Sequence, residues 1–565
     1  MHTLPGVTTR SSLDGTAAGR RDEVLLRRLA SPVAPAGPLP LRRPTLGAME
    51  STRSEIVVVG KGPLRRAEVV AVARGDAPVV LSGEAVSEIE ASRAIVEELV
   101  ADEVAHYGIS TGFGALATRH IPVAQRAQLQ RSLIRSHAAG SGPAVEREVV
   151  RAMLLLRLST LATGRTGVRL ATAKTYAELL NAAITPVVPE HGSLGCSGDL
   201  APLAACALVA MGEGQAEVAD GRVVPGAEAL ASAGIDAVVL AEKEGLALVN
   251  GTDGMLGMLV LALEDFRALL RSADLTAAMS VEAQLGTDAV FAADLQALRP
   301  QLGQAESAAN LRALLAGSAI MESHRGPECT RVQDAYSLRC APQVHGAARD
   351  TLAHATQVVD RELASAIDNP VVTLDGRVES NGNFHGAPLA YVADFLAIVA
   401  ADVASMAERR TDRFLDPARS HGLPAFLAGD PGVDSGHMIA QYTQAAVVSE
   451  MKRLAVPASV DSIPSSAMQE DHVSMGWSAA RKLRRSLDGL ARVLGIELLT
   501  AARALDLRAP LMPAPATAAV RDRLRATVAG PGPDRHLAPE IESAVALVRD
   551  GAAVAAAESV VGALR

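Results

Sequence analysis

The sequence predicts a mainly α protein, an elongated bundle of long helices with a smaller mixed part near the N-terminus. Three observations predict it. Apolar residues make up 49% of the 565 residues but aromatic residues only 2%. Such a core is aliphatic, and Ala and Leu favour helix, whereas strands draw on β-branched and aromatic residues. Leu483, Leu487, Leu490, Leu494, Leu498, Ala501 and Leu505 step by four or three residues, which marks one helix of about 27 residues, or ~40 Å. The strand candidates, Ile56–Val59 and Pro78–Leu81, are short and lie near the N-terminus.

Three segments follow from this pattern: a flexible tail over 1–48, an N-terminal domain over 49–253, and a long-helix bundle with a C-terminal region over 254–565. The tail holds six prolines, seven arginines and three acids with little periodicity, a composition that does not build a core. An Arg-rich, acid-poor leader also suits a transit peptide, and Met49 directly precedes the first structured pattern. From Glu55 the chain alternates short strands with the helices Leu64–Arg74 and Ser82–Val100. Apolar helices are expected at Glu146–Ala162, Leu256–Ser272, Leu352–Ile367 and Val392–Ala407. Leu352–Ile367 should stop at Asp368–Asn369–Pro370. Gly489 and Gly495 interrupt the longest helix, each at a cost of roughly 1 kcal/mol relative to Ala. The apolar faces exceed what one bundle hides, which points to an oligomer.

Composition also excludes. A net charge of −9 leaves no electrostatic footprint for nucleic acid. Four cysteines in so long a chain do not form a disulfide framework, and without C-x-x-C or H-E-x-x-H no metal site is expected. The uninterrupted apolar runs, such as Leu200–Met211 and Met255–Leu263, fall short of the ~18 residues of a membrane span. These features describe a cytoplasmic protein with no membrane partner.

One stretch stands apart. Gly192, Gly195 and Gly198 recur every third residue, around Cys196–Ser197–Gly198 and just before Asp199. The dinucleotide motif fails because residue 194 is Leu, and the hydrolase elbow fails because residue 199 is Asp. Other polar residues break apolar or glycine-rich context. Tyr107 lies on the loop Tyr107–Gly114. His137 follows Ser136 among small residues. Asn250 precedes Gly251–Thr252. Gln333, Tyr336 and Arg339 fall within seven residues. Phe384 sits in Asn381–Gly386, and Glu470 in Ser465–His472. Taken alone, the Tyr107 loop reads equally as an anchored turn or as a functional loop, and each of the others reads as a satisfied structural group before a functional one. A guanidinium such as Arg339 suits a carboxylate, and a phenol serves as acid or base when its pKa is moved.

In this order, from about residue 52 to 545, these blocks resemble the aromatic amino acid ammonia-lyase family. The resemblance implies an ammonia-lyase-like fold and a homotetramer whose sites are shared between subunits. It also implies a prosthetic group, 4-methylidene-imidazol-5-one, formed by the chain itself with no external cofactor. The Gly198 nitrogen would condense with the Cys196 carbonyl, and Ser197 would lose its hydroxyl as water. The commonest family triplet begins with Ala, so Cys196 is a departure, although its side chain takes no part in the condensation. The electrophile turns a substrate amine into a better leaving group. By resemblance Tyr107 or Tyr336 is the base for the β-hydrogen, and Arg339 holds the substrate carboxylate. Asn250 and Gln333 position substrate and prosthetic group, and Phe384 flanks the ring.

Substrate choice rests on His137 and Glu470, which resemble the family members that act on histidine. A carboxylate and an imidazole suit a substrate ring with N–H donor and acceptor, and a benzyl group would leave them unpaired. The implied reaction is non-oxidative deamination of L-histidine to trans-urocanate and ammonia, the first step of histidine degradation. The alternative is a tyrosine or phenylalanine ammonia-lyase, or a 2,3-aminomutase, with the same prosthetic group.

Overall fold

The computed structural model describes residues 55–100, 106–327, 329 and 332–565. The tail expected over 1–48 lies outside the described residues. All described residues fall in one compact unit, Ser54–Arg565. They form twenty α-helices and nine short strands, the mainly α architecture that an aliphatic, aromatic-poor sequence dictates.

The mixed part comes first. Strands Val57–Val59 and Val79–Leu81 pair in parallel across the helix Arg66–Gly75, a crossover that parallel strands require. Pro189–His191 pairs antiparallel with Ser141–Ala144, and Thr185–Pro186 with Gln215–Glu217. These two ladders anchor the chain that leads into the glycine-rich stretch, and the helix Leu200–Ala210 takes over directly after it.

Long helices form the centre. Asp253–Ala283 spans 31 residues, Ala387–Leu415 spans 29 and Gly476–Leu507 spans 32. Gly476–Leu507 packs along both others, and Ala341–Leu363 packs on Ala387–Leu415 and on Asp253–Ala283. The two glycines of the longest helix mark close approaches. A Cβ on Gly495 would lie 2.7 Å from Val545, and one on Gly489 would lie 2.9 Å from Met451.

Two expected boundaries are corrected. The helix predicted over 352–367 begins at Ala341 and ends at Leu363, five residues before Asp368, so residues 364–370 form a loop beside the site. The helix predicted over 256–272 continues to Ala283 because Asp274, Thr276, Ser280 and Glu282, polar in sequence, are buried and bonded. At its heart, Glu497 accepts from Thr276 and Ser280 at 2.7 Å each, and from Arg410 Nε at 2.5 Å. One carboxylate thereby ties the three long helices together.

The reading of membrane spans is corrected too. Ala387–Leu415 is long and apolar enough to cross a bilayer by length and composition. Counting uninterrupted runs missed it, because Asp394 and Asp402 punctuate it. It is mostly buried inside the unit. Asp394 in it accepts from the backbone N–H of Ser459 at 2.8 Å and pairs with Lys482.

Candidate active site

The glycine-rich stretch is held from three sides. The hydroxyl of Ser474, at the start of the longest helix, donates to the Gly195 carbonyl at 2.8 Å, and Met475 N–H donates to Leu194 O at 2.9 Å. The backbone N–H of Asp199 donates to Gly251 O at 2.7 Å. Gly198 runs beside Gly251 with φ +81, and a Cβ there would fall 2.0 Å from the Gly251 carbonyl oxygen. Only glycine fits. The triplet Cys196–Ser197–Gly198 is thus bent tightly and pressed against a second backbone, the setting a self-condensation of this backbone needs. The residues fit the implied prosthetic group.

Around the triplet stand several of the predicted residues. Asn250 is 3% exposed, and its Nδ2 donates to Asn369 O at 2.8 Å. The buried Arg157 fixes that segment, donating to the Asn250 and Ala247 carbonyls and to Asp253. Glu470 accepts from Ser465 Oγ at 2.8 Å, and its charge acts on Tyr107, His137 and Cys196 together. These four residues therefore share one neighbourhood.

Electrostatics assign protonation states. Burial pushes the Cys196 thiol up to about 12, and Glu470 adds to the shift, so the thiol stays protonated and a poor nucleophile. Burial lowers His137, against the pull of Glu470. The His137 Nδ1 lies 2.9 Å from the Leu133 carbonyl, which only accepts. Nδ1 therefore carries the hydrogen, and Nε2 is left as an acceptor. Burial raises Tyr107, with Glu470 and Asp368 pushing the same way; its hydroxyl oxygen accepts from Gly114 N–H at 3.2 Å.

Gln333, Tyr336 and Arg339 form a cluster of their own. Arg339 donates to Gln333 Oε1 at 2.8 Å and lies 4.8 Å from the Tyr336 ring centroid. Tyr336 is 70% exposed. Among the described residues no hydrogen bond or ring contact joins this cluster to the triplet within the chain. Phe384 is half-buried on the loop 381–386. That loop is tied on by Asn381, which donates to Asp368 O at 2.9 Å.

A family model for aromatic amino acid lyases matches residues 64–526. The chain belongs to the aromatic amino acid lyase family. A histidine ammonia-lyase of Streptomyces avermitilis is 66% identical over 509 residues, covering 90% of this chain and 99% of that protein. One of Anaeromyxobacter dehalogenans is 50% identical over 492 residues, covering 86% and 97%. Among solved members of the family, the histidine ammonia-lyase of Trypanosoma cruzi matches with a TM-score of 0.82 at 38% identity, covering 89% of this chain and 95% of that one. A tyrosine aminomutase from Streptomyces globisporus matches with 0.85 at 37%, covering 90% and 100%. The fold alone therefore does not separate lyase from mutase, and the side chains around the triplet must.

Sequence reasoning missed several residues at this aromatic amino acid lyase site. In the sequence Asp199 only breaks a hydrolase motif, yet it is fully buried and pushed up to about 7 by burial, with Asp253 adding to the shift. Thr252 donates to Glu362 Oε1 at 2.6 Å, and Lys243 pairs with Asp368. The one signal for these in sequence is charge placed at the edges of apolar or glycine-rich runs.

Proposed function

We propose that this chain deaminates L-histidine to trans-urocanate and ammonia, as a carbon–nitrogen lyase of the family's histidine branch. The observation that carries the reading is that His137 and Glu470 stand in one neighbourhood with Cys196 of the triplet, where the Glu470 charge acts on both. A neutral imidazole with an accepting Nε2 and a carboxylate acceptor match a substrate ring that donates and accepts through N–H and N. A phenyl ring offers neither, and leaving such groups unpaired penalises the wrong substrate strongly. The 66% identity to a histidine ammonia-lyase over nearly the whole chain supports the same substrate.

The triplet Cys196–Ser197–Gly198 supplies 4-methylidene-imidazol-5-one, an electrophile that makes the substrate amine a better leaving group. The chain's own residues do the rest. Arg339 takes the substrate carboxylate by bidentate pairing. Asn250 and Gln333 position substrate and prosthetic group, Phe384 flanks the ring, and Glu470 with His137 holds the imidazole. The β-proton leaves to a tyrosine, Tyr107 or Tyr336. A comparison of Tyr107→Phe with Tyr336→Phe for solvent exchange at the β-carbon separates them, since only loss of the base stops that exchange.

The separate Gln333–Tyr336–Arg339 cluster supports a homotetramer in which one subunit completes the site of another. The four cysteines carry no disulfide, which suits the cytoplasm. The test of the reading is direct. Intact mass of the folded chain should fall short of the sequence mass by two waters, and incubation with L-histidine should give the conjugated-imidazole absorbance of urocanate. Ser197→Ala should lose both. Product from tyrosine but not histidine would overturn the substrate assignment.

A further inference from the structure

Lys243 and Asp368 take no part in the roles assigned above. Both side chains are fully buried, and Lys243 Nζ donates to Asp368 Oδ2 at 2.5 Å. Burial pushes Lys243 down and Asp368 up, each opposed by its partner's charge. Lys243 also adopts φ +72, a left-handed conformation that costs a residue with a Cβ. A buried ion pair is weak grounds for stability, because desolvating two charges offsets much of their attraction. Strain and burial together at one residue point instead to a constraint on geometry.

The connections of the pair say which geometry. Lys243 caps the short helix Glu244–Ala247, and Asn250 N–H donates to Leu246 O of that helix at 3.0 Å. On the same helix, Gly245 N–H donates at 2.8 Å to Gln130, which belongs to the helix Val123–His137. On the other side, Asp368 lies in the loop 364–370, whose next carbonyl, of Asn369, holds the Asn250 amide. Asn381 binds that loop twice, donating through its Nδ2 to Asp368 O at 2.9 Å and through its backbone N–H to Asn369 Oδ1 at 3.1 Å. Pro370 lies against Gly108, where a Cβ would come within 3.1 Å of it. One carboxylate therefore sits where the segments carrying Tyr107, His137, Asn250 and Phe384 meet.

We propose that Lys243 and Asp368 are positioning residues, a buried strut that sets the Tyr107 loop and the Asn250 amide in reacting register beside the triplet. The proposal rests on the lyase reading above.

Three variants test it: Lys243→Met, the charge-free pair Lys243→Met/Asp368→Asn, and Asp368→Glu, which keeps both charges but displaces one. Thermal midpoint, intact mass, amide exchange over 106–114, kcat and KM are read for each. In the charge-free pair the thermal midpoint and the two-water deficit should match the parent. Exchange over 106–114 should be faster, and kcat for histidine about tenfold lower or more, with KM changed less than about threefold. Asp368→Glu should behave alike. A folded charge-free pair with parental kcat and parental exchange overturns the proposal. Failure of all three to fold assigns the pair to stability and overturns it as well. If the parent itself lacks the mass deficit or leaves histidine unchanged, the lyase reading fails, and the exchange data still decide whether the strut orders the loop.

Discussion

Ser193 donates its hydroxyl to Oδ1 of Asp199 at 2.8 Å, inside a core where Asp199 has no exposure at all. Met255 N–H donates to the other carboxyl oxygen at 2.9 Å. Burial nonetheless dominates and pushes Asp199 up to about 7 from an ordinary 3.8. The folded chain then holds a proton that the unfolded chain releases. Between about pH 4 and pH 7 the folded state binds more protons, so stability falls as pH rises through that window and is flat above it. The full span is on the order of 4 kcal/mol. Thermal midpoints across pH 4–8 should show this slope, and Asp199→Asn should remove it. An unchanged slope in the variant would refute the assignment.

Asp274 gives the opposite sign. Burial alone would raise it, but the Arg349 charge, His345 and Ser307 overcome burial and hold it at about 2. The stability it contributes is present above about pH 4 and is lost as pH falls through 2, a change of about 2 kcal/mol. Asp274→Asn leaves the half-buried Arg349 with only Glu306 and the Arg565 carbonyl and should cost about 3 kcal/mol at neutral pH. Denaturant titrations at pH 3 and pH 7 read both effects. A variant as stable as the parent at neutral pH would show that the cluster is not integral to the fold.

At Gly198 the obstacle is a backbone, not a side chain. A Cβ placed 2.0 Å from Gly251 O meets an atom that cannot rotate away. Gly198→Ala should therefore lose the two-water deficit and histidine turnover together. Gly251→Ala meets the end of Arg157 instead, which breaks a buried hydrogen-bond set and should lower the thermal midpoint as well. If Gly198→Ala keeps its mass deficit, the close approach is not what selects glycine there.

What the sequence made legible follows from what periodicity can carry. Leu483 to Leu505 announces the longest helix because an unbroken aliphatic stripe runs along it at helical spacing, although Glu497, Thr500 and Arg503 are buried on it as well. The periodicity of Asp253–Ala283 fades before its C-terminal end, because Asp274 and Glu282 look like surface and are core residues satisfied by Ser307, Asn310, Ser318 and Thr517. Hydropathy penalises a buried charge whatever its partner, and the partner lies far along the chain. The site divides in the same way. Cys196–Ser197–Gly198 was marked by glycine spacing, which is local. The Lys243–Asp368 pair spans 125 positions, and no local pattern reports it. Nor does any local pattern tell that Tyr336 and Arg339 stand apart from the triplet within one chain.

Glu470 bears on Tyr107, His137 and Cys196 at once, so its charge should matter more than its shape. Glu470→Gln keeps the shape and the acceptor toward Ser465. With L-histidine, kcat/KM should fall about 100-fold or more, with the thermal midpoint and the two-water deficit unchanged. The Cys196 thiol, no longer beside a carboxylate, should also titrate lower, which thiol-reactivity profiles against pH would read. A loss of turnover accompanied by loss of the mass deficit would instead place Glu470 in forming the prosthetic group.

The exposed Tyr336, with Arg339 over its ring, makes a prediction about assembly. If one subunit supplies the triplet and another supplies this cluster, two inactive variants should repair each other. Ser197→Ala lacks the reactive triplet, and Tyr336→Phe lacks the phenol. Ser197→Ala should be inactive as a homogeneous assembly, and so should Tyr336→Phe if Tyr336 is the base. Unfolded together and refolded at equal amounts, they form mixed assemblies in which a site draws an intact triplet from one parent and an intact tyrosine from the other. Random mixing makes roughly a quarter of the sites intact, the product of two halves. Turnover of L-histidine near that fraction of the parent rate is expected, and dissociation of the mixed assembly should abolish it. Mixed assemblies as inactive as their components would mean that the two clusters act within one chain, and that the 70% exposure of Tyr336 is relieved by a movement of its own segment.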